Sequence, residues 1–345
     1  MPFTAADPIV RTVERFDAVI VGGGIIGLAC ALRAQERGLD VCVVERGEPG
    51  GGATDAAAGV LAPDPETPGF TALARASAED WPAFADELGD VGFTQCGSLV
   101  LSFGREPEVE GQWLDAGAAR ALEPGIAADC VGAVLVDGDA QVDPRRAVAA
   151  LVARLGDAVR PHRDVVELLP DGVVLADGSR LEAERVVLAA GAWSARRLAP
   201  RLPVRPLKGQ TVRLRGPLPA TRIIRGEDVY VVPRASGETV LGATFEDAGF
   251  DDTVTEAATE LLLRQAMRAV PAVGALEVVE AAASLRPGTP DNGPLIGEWE
   301  GLLVAGGHFR NGILLAPVTA TAIAALLAGE PPPPEVEPFS PQRFG

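Results

Sequence analysis

The sequence predicts an α/β protein in which a Rossmann-type domain is interleaved with an α+β domain built on a mixed, largely antiparallel sheet. Three observations lead there. Strand, glycine turn, helix, strand and acid succeed one another between Phe16 and Glu45, the order of a βαβ unit of about 30 residues with a parallel sheet and a right-handed crossover. Short alternating runs, such as residues 99–103 and 208–214, read as strands of a second sheet. Apolar runs around residues 186 and 301 then return the chain to the first sheet.

Taken in order, residues 16–21 are an apolar run ending at Gly22, residues 25–37 carry a helical pattern closed by Gly38, and residues 40–44 are a second apolar run ending at Glu45. Residues 47–68, rich in Gly, Ala, Pro and Asp, read as a loop too long for a passive connection and therefore functional. Residues 70–88 form an amphipathic helix. Asp143 and Pro144 stand at the N-cap and first position of a helix reaching residue 155. Strands follow at 165–169, 173–175 and 185–189, with turns at Asp171-Gly172 and Asp177-Gly178. Antiparallel strands are expected at 208–214, 229–232 and 239–242, a helix at about 255–270, a buried strand at 301–305 and a last helix at 311–327. The Pro-rich residues 331–345 are expected to form a disordered or polyproline end without function. No internal repeat is visible.

The 345 residues suffice for one large or two interleaved cores. A formal charge of −18 repels nucleic-acid phosphates and anionic membrane faces, so neither is an expected partner. Residues 1–15 lack the basic and apolar regions of a signal peptide, and no apolar run is long enough to span a bilayer, so the expectation is a cytoplasmic protein. The four cysteines make no CxxC pair and none adjoins a histidine; buried free thiols are expected. No Ser–His–Asp or metal-ligand constellation is visible, and no metal is expected.

Gly22, Gly24 and Gly27 form GxGxxG after the first strand, where the chain needs a tight turn, close approach of backbone to a pyrophosphate and close packing of helix on strand. The helix that follows offers free N–H groups to phosphate. Glu45, roughly 20 residues on, ends the next strand, where its carboxylate accepts from ribose hydroxyls and disfavours a 2′-phosphate. The ligand is ADP-containing, and this half-site serves FAD and NAD alike. Residues 186–194, VVLAAGAWS, are a strand entering a glycine turn of the kind that closes over FAD, though alone they read as structural.

Three further stretches, GGATDAAAGVLAP from Gly51, SLRPGTPDNGPLIG from Ser284 and GGHFRNGILLAP from Gly306, make a likeness visible. With the glycine motif, the sequence resembles the glycine oxidase branch of the glycine/D-amino-acid oxidases over residues 16–327. The resemblance implies non-covalent FAD in extended form. It implies an FAD-binding domain of residues 14–84, 142–198 and 278–330, a substrate domain of residues 85–141 and 199–277, and a pocket between the flavin ring and the mixed sheet. It places Ile25 and Ile26 at the pyrophosphate turn, Glu45 with Arg46 at the ribose, and Ala53, Thr54, Ala58, Gly59 and Val60 along the cofactor. Val165 meets the adenine through its backbone, and His308, Phe309, Arg310, Asn311, Gly312, Ile313 and Leu314 wrap the flavin ring. A helix starting near Asn311 would turn backbone amides toward the N1–C2 edge, where negative charge develops on reduction.

Arg286 follows an apolar run and precedes Pro287 and Gly288, a strand end from which its guanidinium can grip a carboxylate bidentately. Tyr230 is the only tyrosine, and the resemblance implies that its hydroxyl joins Arg286 on the substrate carboxylate. Arg310 matches a second arginine beside the substrate, where the backbone carbonyl receives the amino group, and Phe245 is expected to narrow the pocket near the substrate Cα. Two departures bear on substrate preference: Asp228 stands where the family commonly has histidine, and Phe245 where it has methionine.

The implied reaction is hydride transfer from a clamped neutral amine to flavin N5, hydrolysis of the imine to glyoxylate and ammonia, and reoxidation by O₂ to peroxide. The family also implies a homo-oligomer, a tetramer, and transfer of the glycine imine to thiazole synthase in thiamine synthesis. His308 reads as a structural histidine, and no general base is assigned. Sarcosine, D-alanine or D-proline oxidation, a dehydrogenase using another acceptor, and a non-catalytic flavin protein remain alternatives; an NAD dehydrogenase leaves HFRNGILLAP unexplained.

Overall fold

The structure is a computed structural model that describes residues 14–64, 66–104 and 107–345. The segment read for a targeting signal lies outside them apart from Glu14 and Arg15. The chain runs β1 (Glu14–Val21), α1 (Ile25–Glu36), β2 (Val41–Val44), α2 (Ala53–Ala56), β3 (Val60–Leu61), α3 (Phe70–Leu88), β4 (Ser98–Ser102), β5 (Gln112–Asp115), α4 (Ala116–Leu122), β6 (Gly132–Val136), β7 (Ala140–Gln141), α5 (Pro144–Leu155), β8 (Val159–Arg160), β9 (Val165–Leu169), β10 (Gly172–Leu175), β11 (Arg180–Leu188), β12 (Arg205–Arg215), β13 (Ile223–Arg225), β14 (Tyr230–Pro233), β15 (Glu238–Gly242), α6 (Glu256–Ala269), β16 (Glu277–Gly288), β17 (Leu295–Trp299), β18 (Leu302–Gly306) and α7 (Ala316–Leu327).

One sheet has the order β17-β18-β11-β1-β2-β8, parallel from β18 to β8, with the β9–β10 hairpin added through β10 to β11. Its central strands are buried on both faces, so Val19, Ile20, Val43 and Val187 form a continuous apolar layer. Helices α1, α3, α5 and α7 share one core on this sheet with Ile20, Val43 and Leu303. No helix among the described residues is long and apolar enough to cross a membrane.

The other sheet has the order β16-β12-β15-β14-β13-β4-β6-β5 and is antiparallel except at β13–β4. Its residues alternate by face as pleating requires. Leu99, Leu101, Val212, Ile224, Val231 and Leu241 pack against α6 and α4 in a core of their own. The intervening residues face the first sheet, and there the cleft forms.

Several boundaries depart from expectation, for tertiary reasons. The 47–68 loop contains α2 and β3, because Val60 and Leu61 pair with Gln141 and Ala140. The Ala-rich β16 shows no clean alternation in sequence, yet it is a full edge strand along β12. Cys30, Cys42 and Cys130 are buried free thiols, while Cys96 is free but only half-buried.

The Pro-rich end corrects the sequence reading most clearly. Residues 334–344 form two short 3-10 turns, and Phe339 is buried edge-on to Phe70 at 6.4 Å. Arg343 closes the end on Asp291. Proline stiffness lowers the entropy lost on docking, and the apolar side chains spaced between the prolines supply the contact. Phe339→Ala is expected to lower unfolding free energy by about 3 kcal/mol, read from the urea midpoint at unchanged slope.

Candidate active site

A cleft of about 1690 Å³ lies between the two sheets. Its floor is the glycine turn after β1. Gly22 sits at φ +117°, and a Cβ there would overlap the Ala189 carbonyl, while a Cβ at Gly27 would overlap the Gly22 carbonyl. Glycine at both positions lets α1 settle onto the turn. Gly24 differs: a Cβ there would meet only the Thr54 hydroxyl, at 3.4 Å, because this residue faces the cleft. Ile25 donates its N–H to Thr54 Oγ1 at 3.3 Å, and the next first-turn amides have no intrahelical acceptor. Glu45 accepts from the Gly23 and Gly47 amides at 2.7 and 2.9 Å, one on each oxygen, and each oxygen keeps a lone pair. Arg46 stacks on Trp193 at 4.0 Å beside it.

Ala53, Thr54, Ala58, Gly59, Val60 and Val165 all line the same cleft, as do His308, Phe309, Arg310, Asn311, Gly312 and Ile313. Gly27 and Leu314 do not. Leu314 lies behind the wall, its carbonyl accepting from Ser77 Oγ and Trp81 Nε1 at 2.7 and 3.0 Å. The expected helix from residue 311 begins only at Ala316, because Phe309 takes a left-handed backbone, φ +50°, and residues 311–315 turn before α7 starts. The amides facing the cleft therefore belong to a turn: among the described residues the Gly312 and Ile313 N–H groups have no acceptor.

His308 is buried with Nε2 3.0 Å from Thr319 Oγ1, and burial pushes its pKa down to about 3. The ring stays neutral at neutral pH and is part of the packing. Since an unfolded histidine titrates near 6.5, the unfolded chain binds a proton that the folded chain refuses, and stability falls as pH drops from about 6.5 to about 3. His308→Gln is expected to flatten that slope by up to about 1.4 kcal/mol per pH unit, read from urea unfolding at a series of pH values.

The second sheet builds the opposite wall. Directly opposed antiparallel residues share a face, so Tyr230, Gly242, Thr211 and Ala282 form one row across β14, β15, β12 and β16. Ser284 and Gly209 form the next row, and Arg286 and Leu207 the one after. Arg286 thus points from within β16, two residues before its end. Both functional side chains lie across a glycine: a Cβ at Gly209 would overlap the Arg286 guanidinium, and one at Gly242 the Tyr230 ring. These two glycines, absent from the sequence reading, are what admit the pair.

Arg286 Nη1 donates to the Thr244 and Lys208 carbonyls at 3.0 and 3.3 Å, and no carboxylate among the described residues pairs with it. Burial lowers its pKa, opposed by Tyr230 and assisted by the Arg310 charge. Burial raises that of Tyr230, with the Arg286, Arg310 and Arg213 charges opposing, so the phenol remains a neutral donor. A recessed guanidinium with free N–H groups beside a phenol donor has the chemistry to take a carboxylate.

Arg310 and Phe245 sit differently. Arg310 is largely exposed and holds Glu66 through Nε, and Asn311 Nδ2 reaches the same carboxylate at 3.3 Å. Phe245 lines the cleft but is 62% exposed, edge-on to Phe309 at 6.0 Å, so it forms a rim more than a constriction. Sequence reasoning also missed Arg225, beside Tyr230 in the sheet, which pairs with Asp64 and buried Asp139 at the cleft edge.

A parallel sheet with a glycine turn shaped for a pyrophosphate, opposed across one cleft by this guanidinium and phenol, is the arrangement of a dinucleotide-binding oxidoreductase. The donor set suits FAD: the glycine turn and Glu45 fit the ADP half, and the amides at residues 59, 312 and 313, which have no acceptor among the described residues, fit a polar ring. The chain belongs to the DAO family of FAD-dependent oxidoreductases, whose model matches residues 17–326. It is 34% identical to glycine oxidase of Geobacillus kaustophilus over 95% of this chain and 97% of that one. The solved glycine oxidase from that organism superposes with a TM-score of 0.88 at 33% identity, covering 95% of this chain and 98% of the other. The bifunctional ThiO/ThiG protein of Synechocystis is 36% identical over 95% of this chain, which spans about half (54%) of that relative's length.

Proposed function

We propose that the protein oxidises glycine and other small amines: glycine, O₂ and water give glyoxylate, ammonia and hydrogen peroxide. The single observation that carries this is the Arg286 guanidinium beside Tyr230, without a carboxylate partner among the described residues and facing the dinucleotide turn across one cleft. FAD, when bound, supplies the acceptor for a hydride from the substrate Cα and passes the electrons to O₂. Gly22, Gly24, Ile25 and Ile26 with Glu45 and Arg46 hold the ADP half, Gly27 seats α1 behind them, and Ala53, Thr54, Ala58, Gly59 and Val60 with residues 308–313 hold the ring. Arg286 and Tyr230 fix the substrate carboxylate, which orients the Cα–H and leaves the amine to a backbone carbonyl near Arg310. No side-chain base is needed if the amine enters neutral. The two halves follow the boundaries that the resemblance implies except at β16, Glu277–Gly288, which lies along β12 in the second sheet, so the chain re-enters the first half only after Gly288.

The relatives in which a ThiO portion is joined to a ThiG portion support a destination for the product, the glycine imine passing to a thiazole synthase before water reaches it. Mixing the holoprotein with glycine without oxygen, and separately with sarcosine and D-alanine, tests the reading. Glycine is expected to bleach the visible flavin absorption, and peroxide to appear in air. A yellow protein that none of the three amines bleaches sinks the assignment.

A further inference from the structure

We propose that Arg213 and Arg234, which do not line the cleft, are positioning residues for the cofactor: they set the 55–59 backbone and hold it in register with the strands that carry Tyr230 and Arg286. The short helix α2 ends in this segment, and its last carbonyls have no partner inside the helix. Three of the four carbonyls between residues 55 and 58 are taken by side chains of the second sheet. Arg213 Nη2 donates to the Asp55 carbonyl at 2.9 Å, Thr211 Oγ1 to that of Ala56 at 3.0 Å, and Arg234 Nη2 to that of Ala58 at 2.9 Å. Arg234 Nη1 also takes the Val142 carbonyl at 3.0 Å, while the Val142 N–H returns to the Gly59 carbonyl at 2.9 Å.

A trans peptide points its C=O and N–H in opposite directions. Tying the Ala58 carbonyl to Arg234 therefore turns the Gly59 N–H away from the second sheet, and among the described residues that N–H has no acceptor. Gly59 lines the cleft. The arginine behind the loop thus aims a backbone donor into the space where the ring is held.

The same strands carry the substrate clamp. On β12, Gly209 leaves room for Arg286, Thr211 holds Ala56 and Arg213 holds Asp55, all on one face two residues apart. Arg234 stands in the turn between β14 and β15, the hairpin that presents Tyr230 and Gly242. Loop and clamp are therefore referred to one rigid ladder. Glu238 lies between the two arginines, 2.7 Å from Arg213 Nη1 and 3.3 Å from Arg234 Nε, and Arg145 on α5 ties Asp55 to Glu280 of β16. Arg213 and Arg234 are both buried, so each charge is committed to this network and not to solvent.

The inference rests on FAD as cofactor and not on glycine as substrate, so it is tested without an amine. Arg234→Met, Arg234→Lys and Thr211→Val are compared with the parent in three measurements: FAD titration of apoprotein, dye-equilibrated flavin reduction potential, and melting temperature in saturating FAD. Arg234→Met is expected to weaken FAD binding at least about tenfold, the loss of one aimed hydrogen bond, and to move the potential negative, with Lys restoring part of both. Thr211→Val is expected to shift both in the same direction by less. A lower melting temperature with FAD affinity within about twofold of the parent and an unchanged potential overturns the proposal and leaves a purely structural network. Should Arg234→Met not fold, the lysine and valine variants decide by the same criterion. A protein that no amine bleaches but whose FAD affinity follows this pattern would separate the failure of the substrate reading from that of the positioning reading.

Discussion

Arg286→Met is expected to lower kcat/KM for glycine by about 10²–10³-fold, or roughly 3–4 kcal/mol, while FAD stays bound. Methionine fills the space over Gly209 but supplies no donor, so the substrate carboxylate would enter the cleft with only the Tyr230 hydroxyl as a partner. Lysine should recover little, because a point charge lacks the planar fork and the donor now spent on the Thr244 carbonyl. Stopped-flow reduction without oxygen reads the effect directly: substrate affinity should fall more than the limiting rate. Parent-like glycine kinetics in Arg286→Met would remove the residue from the clamp.

The second large effect separates two glycines of one motif. Gly27→Ala is expected to destabilise the apoprotein by several kcal/mol, because its Cβ would overlap the Gly22 carbonyl and lift α1 from the turn. Gly24→Ala should leave the apoprotein melting temperature nearly unchanged, since its methyl meets only the Thr54 hydroxyl at van der Waals distance. Its cost appears in the ligand, with FAD affinity falling about a hundredfold or more as the methyl fills the pyrophosphate approach. Apoprotein melting and FAD titration on both variants check the pair. Equal loss of stability in the two would mean that Gly24 serves the fold and not the cofactor.

The two glycines also show what could be read before the fold was seen. The GxGxxG turn, Glu45 and the βαβ order act over a few dozen residues, and each residue type has one strong local reason to be there. The α/β class and the mixed second sheet were legible for the same reason, since strand and helix periods differ and glycine marks the turns. Tyr230 and Arg286 were singled out from the resemblance, and the structure sets both on the same face of one sheet. The roles of Gly209 and Gly242 had no local signal. Each serves a side chain on a neighbouring strand, and which residues oppose which is set by strand register.

The same physics divides the misreadings. A helix was expected from residue 311 because apolar spacing continues there, but the left-handed Phe309 and the turn after it delay the helix to Ala316. The Pro-rich end was judged by composition, whereas its order comes from Phe339 meeting Phe70 across the fold. Phe245 was expected to constrict the pocket, yet it rests on Phe309 at the rim. Residue order and local propensity are enough to establish an α/β chain of the dinucleotide-binding kind, and the resemblance is what points to Tyr230 and Arg286. Which buried arginines answer to backbone carbonyls, which guanidinium is left without a carboxylate, and which amides are left unpaired were decided only when the two sheets closed on each other, because hydrogen-bond partners are assigned by proximity in space, not along the chain.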